Sequence, residues 1–351
     1  MQTFNLNKHG KQMKKFSFLF ITLFIALIFS SCDWFTSPED LEPGRRDYAW
    51  TADTLEVPYG EYTSIFDIWG ANSNDVWALS LGSSKDYRMW HYDGIGWTNY
   101  RPNFRITSPR AIWGTAADNI WLGTAFGVIA HYDGTSWEME GDYSTDEEVM
   151  VIQGIWGRSK MEIYTFGFLD RRDSTGYRGF IMKYDGFQWN SLTIDSIQVK
   201  FLTMGYDKDS NKYFLSGRED NFNRIDSIWR LDGHNLVKLY EGNALTNILV
   251  MNDRSYFRID KKIYKYGNND LSLWKDFSSD PIYAGLFAGR NERDLFLYVY
   301  WGLGHYDGDD VEMIYDTDLW LRGSLVLEQE VFFTGAQPVS GVDVILHGIL
   351  N

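Results

Sequence analysis

Two segments of the sequence concentrate charged side chains of both signs. They are LDRRDSTGYRG at 169–179 and SGREDNFNRIDS at 216–227. Together they supply the candidate binding residues Arg171, Arg172, Asp173, Arg178, Arg218, Glu219, Asp220 and Arg224. On a chain with a net charge of −15 such a cluster of arginines is unusual, and binding sites concentrate on variable loops held by a rigid scaffold. We interpret the two segments as a surface for a protein or glycan partner, with solvated polar loops as the alternative.

The histidines follow a repeat instead of converging on one point. His91, His131 and His305 each precede Tyr-Asp-Gly, and His347 precedes Gly348. A metal site needs three or four ligands around one ion, whereas equivalent positions of a repeat are spread apart. The sequence also contains no P-loop, dinucleotide fingerprint, Gly-x-Ser-x-Gly elbow or His-Glu-x-x-His motif. We therefore predict no catalytic residue, no metal and no cofactor.

Composition narrows the class of protein. The chain has 351 residues, of which 44% are hydrophobic, 17% aromatic and 23% charged. Such a chain is neither disordered nor collagen-like. A single cysteine excludes a disulfide framework, and the net negative charge argues against nucleic acid as a partner.

The first 31 residues have the features of a targeting signal. Four lysines and no acidic residue accompany an apolar run at 16–29, which is too short to span a membrane as a helix. Ser30, Ser31 and Cys32 follow. The start codon is either Met1 or Met13, because Met13 with two following lysines is a more typical signal start.

Small residues before a cysteine at this place resemble the lipobox of bacterial lipoproteins, although Phe29 stands where that family usually has leucine. The resemblance implies a signal peptide over 1–31, lipidation of Cys32 and a polar tether over 32–47. It further implies an outer-membrane lipoprotein of a Gram-negative cell, facing the periplasm or the exterior. Removing the signal would deepen the net charge to −19. An ordinary secretory signal with an incidental cysteine is the alternative.

The rest of the chain is a repeat. Trp-Gly, an aromatic residue seven positions later, a Tyr-Asp-Gly turn and a further tryptophan recur in three clear copies. The recurring positions are Trp69, Trp113 and Trp156, then Asp93, Asp133 and Asp185, then Trp97, Trp137 and Trp189. Weaker copies follow, and the assigned turn glycines, Gly267 and Gly348 among them, are 34–52 residues apart. Such spacings are typical of propeller blades.

Each unit predicts four short strands, because β-branched and aromatic runs alternate with Gly, Asn and Asp. In the first copy they are expected at 64–69, 75–80, 88–92 and 97–101. Residues 48–351 accommodate seven units, and the last has no fourth strand. We therefore predict an all-β, seven-bladed propeller over 48–351 in which the N-terminal strand around Trp50 completes the last blade.

The WG…DVW…HYDG…W pattern resembles propeller repeats of secreted proteins and lipoproteins of the Bacteroidetes type, near the Kelch and Asp-box groups. The resemblance implies the fold and not an activity. Tryptophans that recur in every blade are expected to pack between blades, whereas Trp34, Trp301 and Trp320 lie outside the pattern and are expected to be exposed.

These observations predict a lipid-anchored propeller of the cell envelope that acts as a non-catalytic protein- or glycan-binding or scaffold module. The alternative is a glycan-active enzyme, sialidase- or lyase-like, with its pocket at the propeller axis. A structural subunit of a larger envelope assembly is a third possibility.

Overall fold

The structure is a computed structural model that describes residues 42–59, 62–81, 87–173, 176–192, 197–219 and 224–351. Strand β1 spans Tyr48–Thr54 and is followed by seven groups of strands. The first three groups are β2 (Ile65–Asn72), β3 (Asp75–Ser80), β4 (Met89–Tyr92), β5 (Trp97–Asn99); β6 (Pro109–Ala116), β7 (Asn119–Thr124), β8 (Val128–Tyr132), β9 (Trp137–Asp142); β10 (Glu148–Ser159), β11 (Glu162–Arg171), β12 (Tyr177–Tyr184) and β13 (Trp189–Ser191).

The remaining groups complete the ring. They are β14 (Lys200–Asp207), β15 (Lys212–Glu219), β16 (Ile225–Asp232), β17 (Asn235–Gly242); β18 (Thr246–Met251), β19 (Arg254–Ile259), β20 (Lys262–Gly267), β21 (Asp270–Asp276); β22 (Ile282–Asn291), β23 (Asp294–Val299), β24 (Gly302–Tyr306), β25 (Val311–Asp316); β26 (Trp320–Val326), β27 (Glu330–Ala336) and β28 (Asp343–Leu350). No helix among the described residues is long and apolar enough to span a bilayer.

The strands form seven antiparallel four-stranded sheets, the blades, numbered here from β2 onward. First strands of consecutive blades contact each other in a ring, and β26 of blade 7 returns to β2 of blade 1. β1 pairs with β28 from Tyr48 opposite Leu350 to Thr54 opposite Val344, so the N-terminal strand is the outer strand of blade 7. The predicted seven-bladed propeller and its closure are confirmed.

Strand direction defines two faces. Every first strand begins where the chain crosses from the preceding blade, and we call this side the crossing face. The loops between second and third strands open on the same side, because strands alternate in direction. The turns between first and second strands and between third and fourth strands lie on the opposite side, the tight-turn face.

The hydrophobic core lies between the blades. Among the described residues, each of the seven blade interfaces has its own buried apolar cluster. Between blades 1 and 2, for example, Trp77 and Trp137 are 2% and 1% exposed and meet edge to face with 5.7 Å between ring centroids. The recurring tryptophans at the start of the fourth strands therefore pack as predicted, and such aromatic contacts contribute beyond area alone.

The Trp-Gly pairs allow neighbouring blades to pack closely against each other. A Cβ atom added to Gly114 would lie 2.8 Å from the Trp69 ring, and one added to Gly157 would lie 2.9 Å from the Trp113 ring. In blade 7 Leu325 takes the tryptophan's place against Gly70. Each glycine thus leaves space for the large side chain of the preceding blade.

The turn aspartates stabilise the turns on the tight-turn face. In each Tyr-Asp-Gly turn the carboxylate accepts hydrogen bonds from the backbone N–H groups two and three residues later, and the glycine has positive φ; the aspartates are Asp93, Asp133, Asp185 and Asp307. Two glycine assignments were wrong. Gly267 ends β20, and the turn is Asn268-Asn269 with φ of 53° and 63°. Gly348 lies within β28 against the Trp50 ring.

The repeated histidines connect third strands to the start of second strands. Each Nε2 lies 2.6–2.8 Å from an acid or amide oxygen, in the pairs His91–Asp75, His131–Asn119, His305–Asp294 and His347–Glu330. Each ring also stacks or packs on an aromatic residue of the second strand. These four histidines are therefore structural parts of blades 1, 2, 6 and 7.

Candidate functional site on the crossing face

The first strands enclose an axial channel of about 710 Å³. Six of the seven first strands contain a register shift in their first half, where residues have no cross-strand partner. In five of these strands the one or two unpaired residues line the channel: Phe66, Arg110, Gln153, Leu202, and Arg322 with Gly323. Bulges redirect side chains and are common beside functional sites. Because the bulges lie at the beginning of the strands, the polar side chains line the channel end at the crossing face.

Two arginines give this end of the channel a positive charge. The Nε of Arg110 is buried without a hydrogen-bond partner, and Arg110 forms no ion pair with any described residue. Arg322 is exposed, donates from Nη1 to Ser64 Oγ at 2.7 Å and lies 3.9 Å from Asp343. Guanidinium groups with free donors bind carboxylates and phosphates well. The channel mouth can therefore bind an anionic group of a partner.

Asp67 is the carboxylate among the described residues that line the channel. Its Oδ1 and Oδ2 accept hydrogen bonds from the N–H groups of Ile68 at 3.0 Å and Ile112 at 2.8 Å, so it joins blade 1 to blade 2. Burial raises the pKa of Asp67 to about 7, and these hydrogen bonds oppose the shift. Thr203 occupies the corresponding place in blade 4, where its Oγ1 accepts from Ile248 N at 3.2 Å.

The candidate residues of the first charged segment lie at the crossing-face end of blade 3. Arg178 forms two hydrogen bonds to Glu148, at 3.1 and 2.8 Å, and Arg172 donates to the carbonyl of Thr145 at 3.1 Å. Arg171 and Asp173 are exposed, with 3.7 Å between their charged groups. The acidic crossing before β10 therefore holds two of these arginines in place.

The second segment lies at the corresponding end of blade 4. Arg218 and Arg224 both contact the fully buried Asp226, at 2.9 and 3.3 Å. Burial alone would raise the pKa of Asp226, but the arginines and the Thr246 N–H lower it. Glu219 ends β15, and Asp220 lies outside the described residues. The structure thus brings together Arg218 and Arg224, and separately Arg172 and Arg178.

Sequence reasoning missed the anchoring role of Asp226 and Asp343. Each lies within the first two residues of a third strand and accepts a hydrogen bond from an N–H at the start of the next blade's first strand, from Thr246 at 2.9 Å and Ile65 at 2.8 Å. The signal available in the sequence was an acidic residue within the first two positions of a predicted strand.

Arg258 was also missed. It is 5% exposed and lies opposite the channel-lining Asn247, with an unpartnered Nε. Burial lowers the pKa of Arg258 to about 10. No sequence signal marked it, because its burial depends on the neighbouring blades.

Trp301 and Trp320 are exposed, as predicted, and both lie on the crossing face. Trp301, in the loop between β23 and β24, is 77% exposed with a φ of 74°, and Trp320 at the start of β26 is 55% exposed. Trp34 and Cys32 lie outside the described residues. In the described part of the chain, no group of three or more His, Cys, Asp or Glu side chains could hold a metal ion.

A ring of blades around an axial channel defines a β-propeller scaffold, and solved structures of other propellers share this fold. YCF48 bound to a D1 peptide is 13% identical over 89% of this chain and all of that chain, with a TM-score of 0.62. YCF48 from Cyanidioschyzon merolae is 14% identical over 85% and 98% of the two chains, with a TM-score of 0.55.

A third similar structure is the extracellular domain of the putative hybrid two-component system BT4673 from B. thetaiotaomicron. It is 13% identical over 85% of this chain and 39% of that chain, with a TM-score of 0.56. No protein-family profile and no curated protein matches the sequence. At these identities the likeness concerns the fold alone.

Proposed function

We propose that this protein is a non-catalytic binding module of the bacterial cell envelope that holds a protein or glycan partner on its crossing face. The observation that carries the proposal is the channel mouth, where bulges direct Arg110 and Arg322 toward the axis and Arg110 has no carboxylate partner among the described residues. Concave sites with a few convergent polar groups are the usual places for ligand binding.

A protein partner has additional support. A propeller of the same fold, YCF48, has been solved bound to a D1 peptide, which supports a peptide or protein as the partner of this chain. The exposed Trp301 and Trp320 on the same face are the residue type that most often anchors protein interfaces. We infer that the partner supplies an anionic group to the channel mouth and apolar side chains to the tryptophans.

The chain that would carry the proposed lipid anchor reaches the propeller at its tight-turn face. The chain enters β1 from the tight-turn face, where Gly44 N donates to Arg293 O at 2.7 Å and Arg46 contacts Asp310 at 2.6 Å. Ten residues lie between Cys32 and Pro43, and a fully extended chain would span about 35–40 Å between the two.

Partner capture from native outer membranes tests the binding proposal. We expect the wild type to enrich a partner, and the double variant Arg110→Gln, Arg322→Gln to lose most of it. Arg254→Gln is the matched control, because Arg254 is a partly exposed arginine on the tight-turn face, paired with Asp209. Equal enrichment by all three proteins, or none by the wild type, would refute the proposal.

The anchor has a separate test. Cys32→Ala should move the protein from the membrane fraction to the soluble fraction, and mass spectrometry of the wild type should show acyl chains on Cys32. Two or more chains give stable anchoring, whereas one gives only marginal binding. Unchanged membrane retention of Cys32→Ala would contradict a lipid anchor at this residue.

The alternative, a glycan-active enzyme, is favoured by one observation, the raised pKa of Asp67 inside the channel. Glycosidases use two carboxylates on either side of the scissile bond. Among the described channel-lining residues Asp67 is the single carboxylate, no tyrosine is present, and both Asp67 oxygens accept backbone hydrogen bonds. Hydrolysis of envelope glycans that is abolished in Asp67→Asn would favour the enzyme over the binding module.

A further inference from the structure

A second, smaller cavity lies on the crossing face between blades 1 and 2. It has a volume of about 350 Å³ and lies between the start of β4 and the crossing at 100–108. Three arginines, two aromatic side chains and an amide are prominent in its lining: Arg88, Arg101, Arg105, Tyr100, Phe104 and Asn103. The axial channel and the charged loops of blades 3 and 4 contribute none of these residues.

The cavity has a marked excess of positive charge. None of its lining residues is an Asp or Glu, although the chain as a whole carries a net charge of −15. Arg101 donates from Nε to Asn99 Oδ1 at 3.2 Å, and no described carboxylate forms an ion pair with Arg105. The guanidinium groups of Arg88 and Arg105 have no carboxylate partner among the described residues, so their charge attracts an anion.

The side chain of Arg88 is held in place and retains a free donor for such an anion. Its Nη1 donates to the carbonyl of Ile106, which fixes the side chain against the crossing, while its Nε is buried without a partner. Burial, together with the nearby charge of Arg105, lowers the pKa of Arg88. A buried N–H group without an acceptor destabilises the protein, and a bound ligand that supplies the acceptor would remove this penalty.

We propose that this cavity binds a small organic anion, a carboxylate or phosphate group on a ring-sized body. The guanidinium groups of Arg88 and Arg105 bind the anionic group, since planar donors suit both carboxylate and phosphate. Tyr100 and Phe104 provide apolar faces for the body, and Asn103 provides a hydrogen bond. The volume is at the lower end of the range for small-molecule sites, which suits a single sugar-sized unit.

Isothermal titration with two probes tests the proposal and distinguishes the two sources of charge. Glucuronate carries a carboxylate and glucose 6-phosphate a phosphate, while neutral glucose and inorganic phosphate are the controls. We expect at least one of the two anionic sugars to bind with a Kd below about 1 mM. Neutral glucose should show no binding, and inorganic phosphate should bind at least about tenfold more weakly than the anionic sugar.

Arg105→Gln is the informative variant, because Arg105 is exposed and its replacement should not affect folding. We expect it to weaken binding by about tenfold, the effect of one hydrogen bond to a charged group. Arg254→Gln, which removes the same charge from the tight-turn face, should bind as the wild type does. The proposal would be overturned if neither anionic sugar bound at concentrations up to about 10 mM, tenfold above the expected limit for the Kd. It would also be overturned if Arg105→Gln bound the sugar as tightly as the wild type does, or if glucose or inorganic phosphate bound as tightly as the anionic sugar.

Discussion

A single carboxylate, Asp67, makes the axial channel sensitive to pH. Burial raises its pKa to about 7 in the folded protein, against an ordinary value near 4 in the unfolded chain. Between pH 4 and pH 7 the carboxyl group of Asp67 is therefore protonated in the folded protein and ionised in the unfolded chain. The stability that this group contributes is fully present below pH 4 and is lost as the pH rises through about 7.

Asp67→Asn should remove that pH dependence. The free energy of unfolding of the wild type is expected to fall by roughly 2–4 kcal/mol more than that of the variant between pH 4 and pH 8. Urea titrations of both proteins across this range measure the difference. Parallel curves for the two proteins would show that Asp67 has an ordinary pKa.

Asp226 is expected to be among the most sensitive single positions. Its carboxylate is fully buried and binds two arginines and the first N–H of blade 5. Asp226→Ala should lower the free energy of unfolding by about 3–5 kcal/mol, since it leaves Arg218 and the Thr246 N–H without their acceptor. Asp133→Ala, at an exposed turn, is the control with a smaller effect in chemical denaturation. Similar losses for both variants would show that Asp226 does not anchor the crossing.

In the first strands of blades 1 to 3, the close packing of neighbouring blades requires the glycine that follows each tryptophan. Gly114→Val places a side chain where the Trp69 ring and the Asn119 carbonyl lie within 3 Å of the glycine's Cβ position. We expect a loss of about 1–3 kcal/mol from overpacking, measured by thermal or urea unfolding. Gly96→Ala is the matched control, since a Cβ there meets nothing within 4 Å. A neutral Gly114→Val would mean that the Trp-Gly pair does not fit neighbouring blades together.

The same strands explain why the candidate site was only partly predictable. Arg110 and Arg322 reach the channel because bulges displace them from the ladder, and a bulge has no distinct pattern in a single sequence. The two charged segments were predicted to be loops, but Arg171, Arg178 and Arg218 lie in the strands on either side of those loops, in β11, β12 and β15. Their partners were not predicted, because Glu148 and Asp226 become neighbours only through the fold.

The whole ring, by contrast, followed from the sequence. Trp-Gly and Tyr-Asp-Gly recur because each blade faces the same packing and turn requirements, so the repeat reports the architecture directly. The missing fourth strand of the last copy and the extra strand around Trp50 predicted the closure that β1 and β28 form. The weaker copies were less informative: at Gly267 the turn is made by two asparagines instead.

The two faces of the closed ring carry different structural features. The tight-turn face is built from short, aspartate-capped turns and receives the incoming chain at Gly44 and Arg46. The crossing face carries the channel mouth and the exposed tryptophans. We therefore expect partner contacts on the crossing face and none on the tight-turn face.

Site-specific photo-crosslinking in intact cells tests this claim most directly. A photoreactive amino acid would replace Trp320 on the crossing face or Ile95 on the tight-turn face, which are 55% and 92% exposed. We predict a discrete adduct from position 320, lost when Arg110 and Arg322 are changed to Gln, and no adduct from position 95. Adducts from position 95 alone, or none from either position, would contradict a binding function for the crossing face.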